Sequence, residues 1–178
     1  MSRTIVITNQ KGGIGKTSSA SAIIGGLAEK GYRVLAIDMD PQGNLGFCLG
    51  AEIEDCPTVY EMMKGTAGIE TVIQHTNGVD VLPSNILLSG AELEFTAKGR
   101  ESLLKKAIAP VSNSYDYIVI DTPPALNILT VNAYTAADSI IIPMVPEILS
   151  LLGISQLQET IKLVKDVYNL TLRSWAFF

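Results

Sequence analysis

The sequence predicts an α/β fold, with a mostly parallel central sheet flanked by helices on both faces. Three observations carry that prediction. Short β-branched runs such as "TIVIT" (4–8), "RVLAID" (33–38) and "YIVID" (117–121) read as strands buried on both sides. Between the first two lies a stretch in which Ala20, Ile23, Ile24, Leu27 and Ala28 fall at helical spacing, the pattern of one right-handed βαβ unit. At 178 residues, with 47% hydrophobic and 17% charged residues, the chain is long enough for one domain with a proper core, predicted here over 1–178.

The elements follow in order. Strand one (4–8) runs into a glycine-rich turn, and the helix from Thr17 ends where Gly31 can take a left-handed cap. Gly25 and Gly26 weaken that helix by roughly 1 kcal/mol each unless close packing needs them. "RVLAIDMD" (33–40) is the second strand, followed by the loop "PQGNLG". "TVYEMMKG" and "GIETVIQH" read as short helices, "GVDVLPS" as a strand, and "AELEF" to "LLKKAIA" as helical segments. "YDYIVIDTPPA" (115–125) is a strand ending in Asp121 and a double proline, and "SIIIPMV" (139–145) is a further strand. It leads into a long helix with Leu151, Ile154, Leu157, Ile161 and Val164 every three or four residues.

Charge and composition exclude several classes. A net charge of -5 gives no overall basic field for nucleic acid. The longest apolar stretch is broken by Pro143, Pro146 and Glu147, too short to span a membrane, and the start lacks a secretory pattern, so the expected location is cytoplasmic. Cys48 and Cys56 have neither C-x-x-C spacing nor nearby histidines and read as reduced, partly buried thiols, while His75, in "QHTNG", reads as a solvated loop residue.

The chemistry concentrates in "NQKGGIGKTS" (9–18), which matches the phosphate-binding loop G-x-x-x-x-G-K-[ST] except that Gln10 holds the first glycine's place and Lys11 adds a cation. Gly12, Gly13 and Gly15 let successive amides turn inward as an anion-binding concavity at a helix start, with Ile14 and Ser18 in the same cradle. Lys16 supplies a point charge for the β- and γ-phosphates and Thr17 a hydroxyl for Mg²⁺. The fold is therefore that of a P-loop NTPase. Asp121, closing an apolar strand, can hold the Mg²⁺ hydration shell beside Thr17, or cap the turn before Pro123. Asp38 and Asp40 point the same way if their strand continues that far. On that reading Asp40 orients an attacking water and Asp38 sets the Mg²⁺ environment; the alternative is that they cap the "DPQG" turn.

"KGGIGKT" (11–17), "DMDPQGN" (38–44), "IVIDTPPALNILTVNA" (118–133) and "IIPMVPEILSLLGISQL" (141–157) together resemble the deviant Walker A, switch I and Walker B/switch II segments, and the strand and helix that follow, of the ParA family of partition ATPases, relatives of MinD and the nitrogenase iron protein. The resemblance covers essentially the whole chain and implies an ATP- and Mg²⁺-dependent homodimerisation switch in plasmid or chromosome partitioning, with a ParB-like activator. It gives Lys11 a role across the dimer, on the partner's phosphates, as an arginine finger acts in trans. Family chains run on past "YNLTLR" (168–173), so the resemblance also implies a chain lacking the usual C-terminal portion. Trp175, Phe177 and Phe178 are then expected either to complete a buried strand or to form the exposed aromatic cluster that a premature end leaves, and the family's non-specific DNA binding and nucleoid association are expected of its longer members. The alternative expectation is a nucleotide-binding interaction module, or a fragment, without effective turnover.

Overall fold

The computed structural model describes residues 2–144 and 148–177, with side chains for all of these except 148–154 and 175–177. In chain order the elements are β1 (Arg3–Ile7), α1 (Lys16–Glu29), β2 (Val34–Asp38), α2 (Asn44–Cys48), α3 (Val59–Lys64), α4 (Ile69–Val72), β3 (Gln74–Thr76), β4 (Val79–Leu82), α5 (Ala91–Glu94), α6 (Leu103–Ile108), β5 (Tyr117–Asp121), α7 (Ile128–Ala136), β6 (Ser139–Pro143), α8 (Ile148–Val167) and β7 (Arg173–Phe177). The seven strands form one sheet in the order β3-β4-β2-β5-β1-β6-β7, parallel throughout except for the antiparallel β3–β4 hairpin.

Alternation along the strands builds a core on each face. Val6, Leu35, Ile37, Ile118, Ile120, Ile140 and Ile142 face a core completed by α3, α6, α7 and α8. Their neighbours Ile7, Val34, Ala36 and Val119 face the other way, against Ala20 and Ile24 of α1 and Leu45 of α2. Because both faces are covered, the strands carry apolar residues at nearly every position, which is why they read as continuous runs.

The register fixes where function can sit. Ile7, Asp121 and Asp38 are paired side by side at the carboxyl ends of β1, β5 and β2. The loops leaving these three strands share one edge of the sheet, the edge at which open α/β sheets bind ligands.

Four sequence expectations change. The second strand ends at Asp38 rather than at 40, so Asp38 and Asp40 do not share a strand face; Met39 still donates its amide to the Asp121 carbonyl, 2.9 Å, but Asp40 already begins a turn closed by Gly43 N–H to Asp40 O, 3.0 Å. "PQGNLG" is not all loop, because its second half enters α2. His75 lies in β3, although its side chain is exposed, and is hydrogen-bonded to Asp80 across the hairpin at 2.5 Å. Cys48 and Cys56 are free thiols, but Cys48 is exposed. As for Gly25 and Gly26, a Cβ on either would meet nothing within 4 Å, so no packing among the described residues requires them. Pro146 and Glu147 lie outside the described residues, as does Phe178, and Leu151, Ile154, Trp175 and Phe177 lie outside the described side chains.

Candidate nucleotide-binding site

The loop between β1 and α1 is shaped by its own residues. Gly13 (φ 72°) and Gly15 (φ 85°) hold left-handed conformations that L side chains rarely adopt, whereas Gly12 has no positive φ and a Cβ there would meet no described atom within 4 Å. Gly15 caps α1 through its backbone, accepting from Ser19 N–H at 2.8 Å, and the first turn of α1 contains no acidic residue that would repel an anion. Ile14 is half-buried and Ser18 exposed beside it. Asn9, buried at the loop's entrance, donates its Nδ2 to Pro143 O (2.9 Å) on β6 and accepts the Lys11 amide on its Oδ1 (3.1 Å). Sequence reasoning missed Asn9, whose only signal was a polar residue at the end of an apolar strand.

Lys16 opens α1 yet is only 8% exposed, and its ammonium donates to Lys11 O at 3.1 Å. Burial lowers its pKa, while the charges of Asp121 and Asp40 oppose that shift and favour the cation. Lys11 is half-buried, on the loop whose carbonyl Lys16 grips. The Thr17 hydroxyl donates to Asp121 Oδ2 at 2.6 Å, and the other carboxylate oxygen accepts the Thr122 amide at 3.1 Å. Thr122 in turn donates its hydroxyl to Ile7 O, 3.0 Å, tying the end of β5 to the end of β1. Burial pushes Asp121 up to about 6, against the Thr17 hydrogen bond and the Lys16 charge.

Asp38 is completely buried. Its Oδ1 accepts the Asp40 amide (3.0 Å) and its Oδ2 accepts the amides of Leu45 (2.9 Å) and Gly46 (3.0 Å). Both oxygens thus serve as caps within the turn, and burial raises its pKa to about 7 despite those donors. Asp40, half-buried, accepts the Gln42 amide on Oδ1 at 3.0 Å. Lys16, Thr17, Asp40 and Asp121 therefore converge at one strand-end edge, while Asp38 lies beneath the turn that carries Asp40.

The donor set suits a nucleotide with Mg²⁺. Among the described residues no group of three or more His, Cys, Asp or Glu is arranged to hold a metal by itself. A hydroxyl and one carboxylate at 2.6 Å are hard oxygen ligands of the kind Mg²⁺ combines with phosphate oxygens and water. The ammonium of Lys16 and the amides at the start of α1 are complementary to the phosphates themselves.

Comparisons with known proteins give the family and the fold. A family model described as an AAA domain matches residues 2–174. The sporulation initiation inhibitor protein Soj of Bacillus subtilis is 44% identical, over 97% of this chain and 70% of that protein. Chromosome partitioning protein ParA of Myxococcus xanthus is 43% identical, over 96% of this chain and 62% of that protein. Among solved structures, the cobyrinic acid a,c-diamide synthase of Mycobacterium smegmatis with bound ADP and magnesium superposes with a TM-score of 0.95 at 39% identity, covering 99% of this chain and 74% of that one. A putative plasmid partition protein of Borrelia burgdorferi bound to AMPPNP superposes with a TM-score of 0.87 at 29% identity, covering 99% and 73%. The chain belongs to the ParA/Soj family of partition ATPases.

Proposed function

We propose that this chain binds and hydrolyses ATP with Mg²⁺ as the dimerisation switch of a DNA-partition system. The observation that carries the reading is the 2.6 Å bond between Thr17 and Asp121 beside the buried Lys16, at the paired ends of β1 and β5. The names of the Bacillus and Myxococcus relatives, and the nucleotides bound in the Mycobacterium and Borrelia structures, support it.

In this reading the loop amides from Gly12 to Ser18 cradle the phosphates, and Lys16 places its charge against the β- and γ-phosphoryl oxygens. Thr17 and Asp121 hold Mg²⁺, which when bound neutralises charge on the phosphates. Asp40 accepts a hydrogen bond from the attacking water and aligns it. Asp38 serves the site from below, by fastening the turn that carries Asp40. Lys11 acts in trans on a second copy's triphosphate, and a ParB-like partner accelerates turnover.

The test is phosphate release by the wild type and Lys16→Ala, together with calorimetric ATP binding. The reading expects turnover in the wild type and a loss of at least about 100-fold in the variant. A Lys16→Ala protein that bound and hydrolysed ATP as the wild type does would overturn it. Tight binding by the wild type without phosphate release would replace it with a nucleotide-binding interaction module.

A further inference from the structure

The turn that carries Asp40 is held on two sides, and only one of them is Asp38. On its outer side Gly43 lies against the main chain of the segment leaving β4: a Cβ on Gly43 would stand 2.8 Å from the Ser84 carbonyl oxygen and 3.4 Å from Ile53 Cδ1. Real Cβ atoms do not approach a backbone oxygen that closely, and the obstacle cannot rotate away as a side chain would. Gly43 also holds φ 66° and ψ 17°, so the position excludes other residues by conformation as well as by space.

The seat itself is firm. Pro83 O accepts the amide of Val59, 2.9 Å, at the start of α3, where Thr58 and Glu61 form a reciprocal cap. Gly46, one turn further on, lies against Pro83 and Ile53 at 3.3–3.4 Å from where its Cβ would be. The hydrogen bond from Gly43 N–H to Asp40 O, 3.0 Å, then makes Asp40 and Gly43 the two ends of one rigid turn.

We propose that Gly43, through its contact with the Ser84 carbonyl, is a positioning residue that sets where Asp40 stands at the strand-end edge. The contact works at the level of main chain on main chain, so a displacement of Gly43 away from Ser84 carries Asp40 with it. Lys16 and Thr17 stand in α1 and Asp121 in β5, outside this turn, and keep their places. This inference rests on the reading of Asp40 as the residue that aligns the water.

The consequence is a separation of binding from turnover. Misplacing an aligned group by about 1 Å costs on the order of 10²-fold in rate. Gly43→Ala is therefore expected to lower kcat by about 10- to 100-fold while leaving KM for ATP within about 3-fold. Gly43→Asn tells conformation from contact, because asparagine tolerates the left-handed region yet brings the same Cβ against Ser84 O. The inference expects it to be as slow as Gly43→Ala.

The experiment measures steady-state kinetics and melting of the wild type, Asp40→Ala, Gly43→Ala and Gly43→Asn, with hydrogen exchange of the Leu45 and Gly46 amides. Slow turnover in both Gly43 variants at near wild-type KM, with faster exchange at those two amides, supports the inference. Turnover within about 2-fold of wild type in Gly43→Ala, or rescue by Gly43→Asn, overturns it. A variant that loses kcat and KM together, or does not fold, assigns Gly43 a structural role only and overturns it as well. If the wild type itself proves inactive, or Asp40→Ala remains active, it is the reading of Asp40 that fails; the exchange rates then still report whether Gly43 seats the turn.

Discussion

Asp121 is buried in the free protein, yet the proposed function needs it charged beside Mg²⁺. Burial holds its pKa near 6, well above the ordinary carboxylate value of 3.8. Between those two values the folded chain keeps a proton that the unfolded chain has released. The sign follows directly: unfolding free energy falls as pH rises through that window, by at most about 1.4 kcal/mol per pH unit for one proton. Urea unfolding of the nucleotide-free protein at pH 4.5, 6 and 7.5 should show this loss, and Asp121→Asn should reduce it to the share of Asp38, which burial raises to about 7. The same variant keeps an acceptor for the Thr17 hydroxyl but removes the charge, so Mg²⁺-ATP affinity should drop by about 10- to 100-fold in a titration with a fluorescent analogue. A variant with unchanged Mg²⁺ dependence would remove Asp121 from the metal's surroundings.

Buried asparagines do at the scale of elements what the aspartates do at the site. Asn169, in the turn between α8 and β7, donates its Nδ2 to Tyr134 O (3.0 Å) and Ala137 O (2.6 Å), closing the end of α7. Asn132, within α7, donates to Arg100 O and Ile128 O and accepts the Leu104 amide, joining α7 to α6. Truncating either leaves buried carbonyls or amides unpaired, so Asn169→Ala should cost about 1–3 kcal/mol in chemical denaturation, with the same m-value. A loss below about 0.5 kcal/mol would show that water takes over the carbonyls. These hubs were not legible in the sequence, because a single asparagine inside an apolar stretch carries no periodic signal. The strands were legible because both of their faces are covered, and the phosphate loop because its glycines and lysine are local requirements. What escaped was set by tertiary contact. "PQGNLG" reads as a loop, yet Asp38 Oδ2 accepts two of its amides, those of Leu45 and Gly46, and turns its second half into α2, while β3 is too short and polar to signal itself without β4.

At the scale of the whole molecule the difficulty is electrostatic. A chain of net charge -5 that binds a triphosphate becomes more negative still, and bringing two such complexes together face to face meets repulsion on every side. Within each chain Lys16 is already committed, gripping Lys11 O from inside the loop and balanced by Asp121 and Asp40. In the proposed function Lys11, half-buried on the same loop, acts on the triphosphate of a second copy. Dimerisation should therefore require both Mg²⁺-ATP and Lys11. Analytical ultracentrifugation with a slowly hydrolysed ATP analogue should show the wild type doubling in mass. Lys11→Ala should remain monomeric while binding the analogue within about 3-fold of wild type, because Lys16 and the loop amides still meet its phosphates. If the pairing rests on charge reaching across the interface, the wild-type dimer should also weaken as salt rises from 0.1 M towards 1 M, where the screening length falls from about 10 to about 3 Å. A dimer that formed equally well without Lys11 would place the cohesion elsewhere on the surface and leave the second lysine of the loop without a role in assembly.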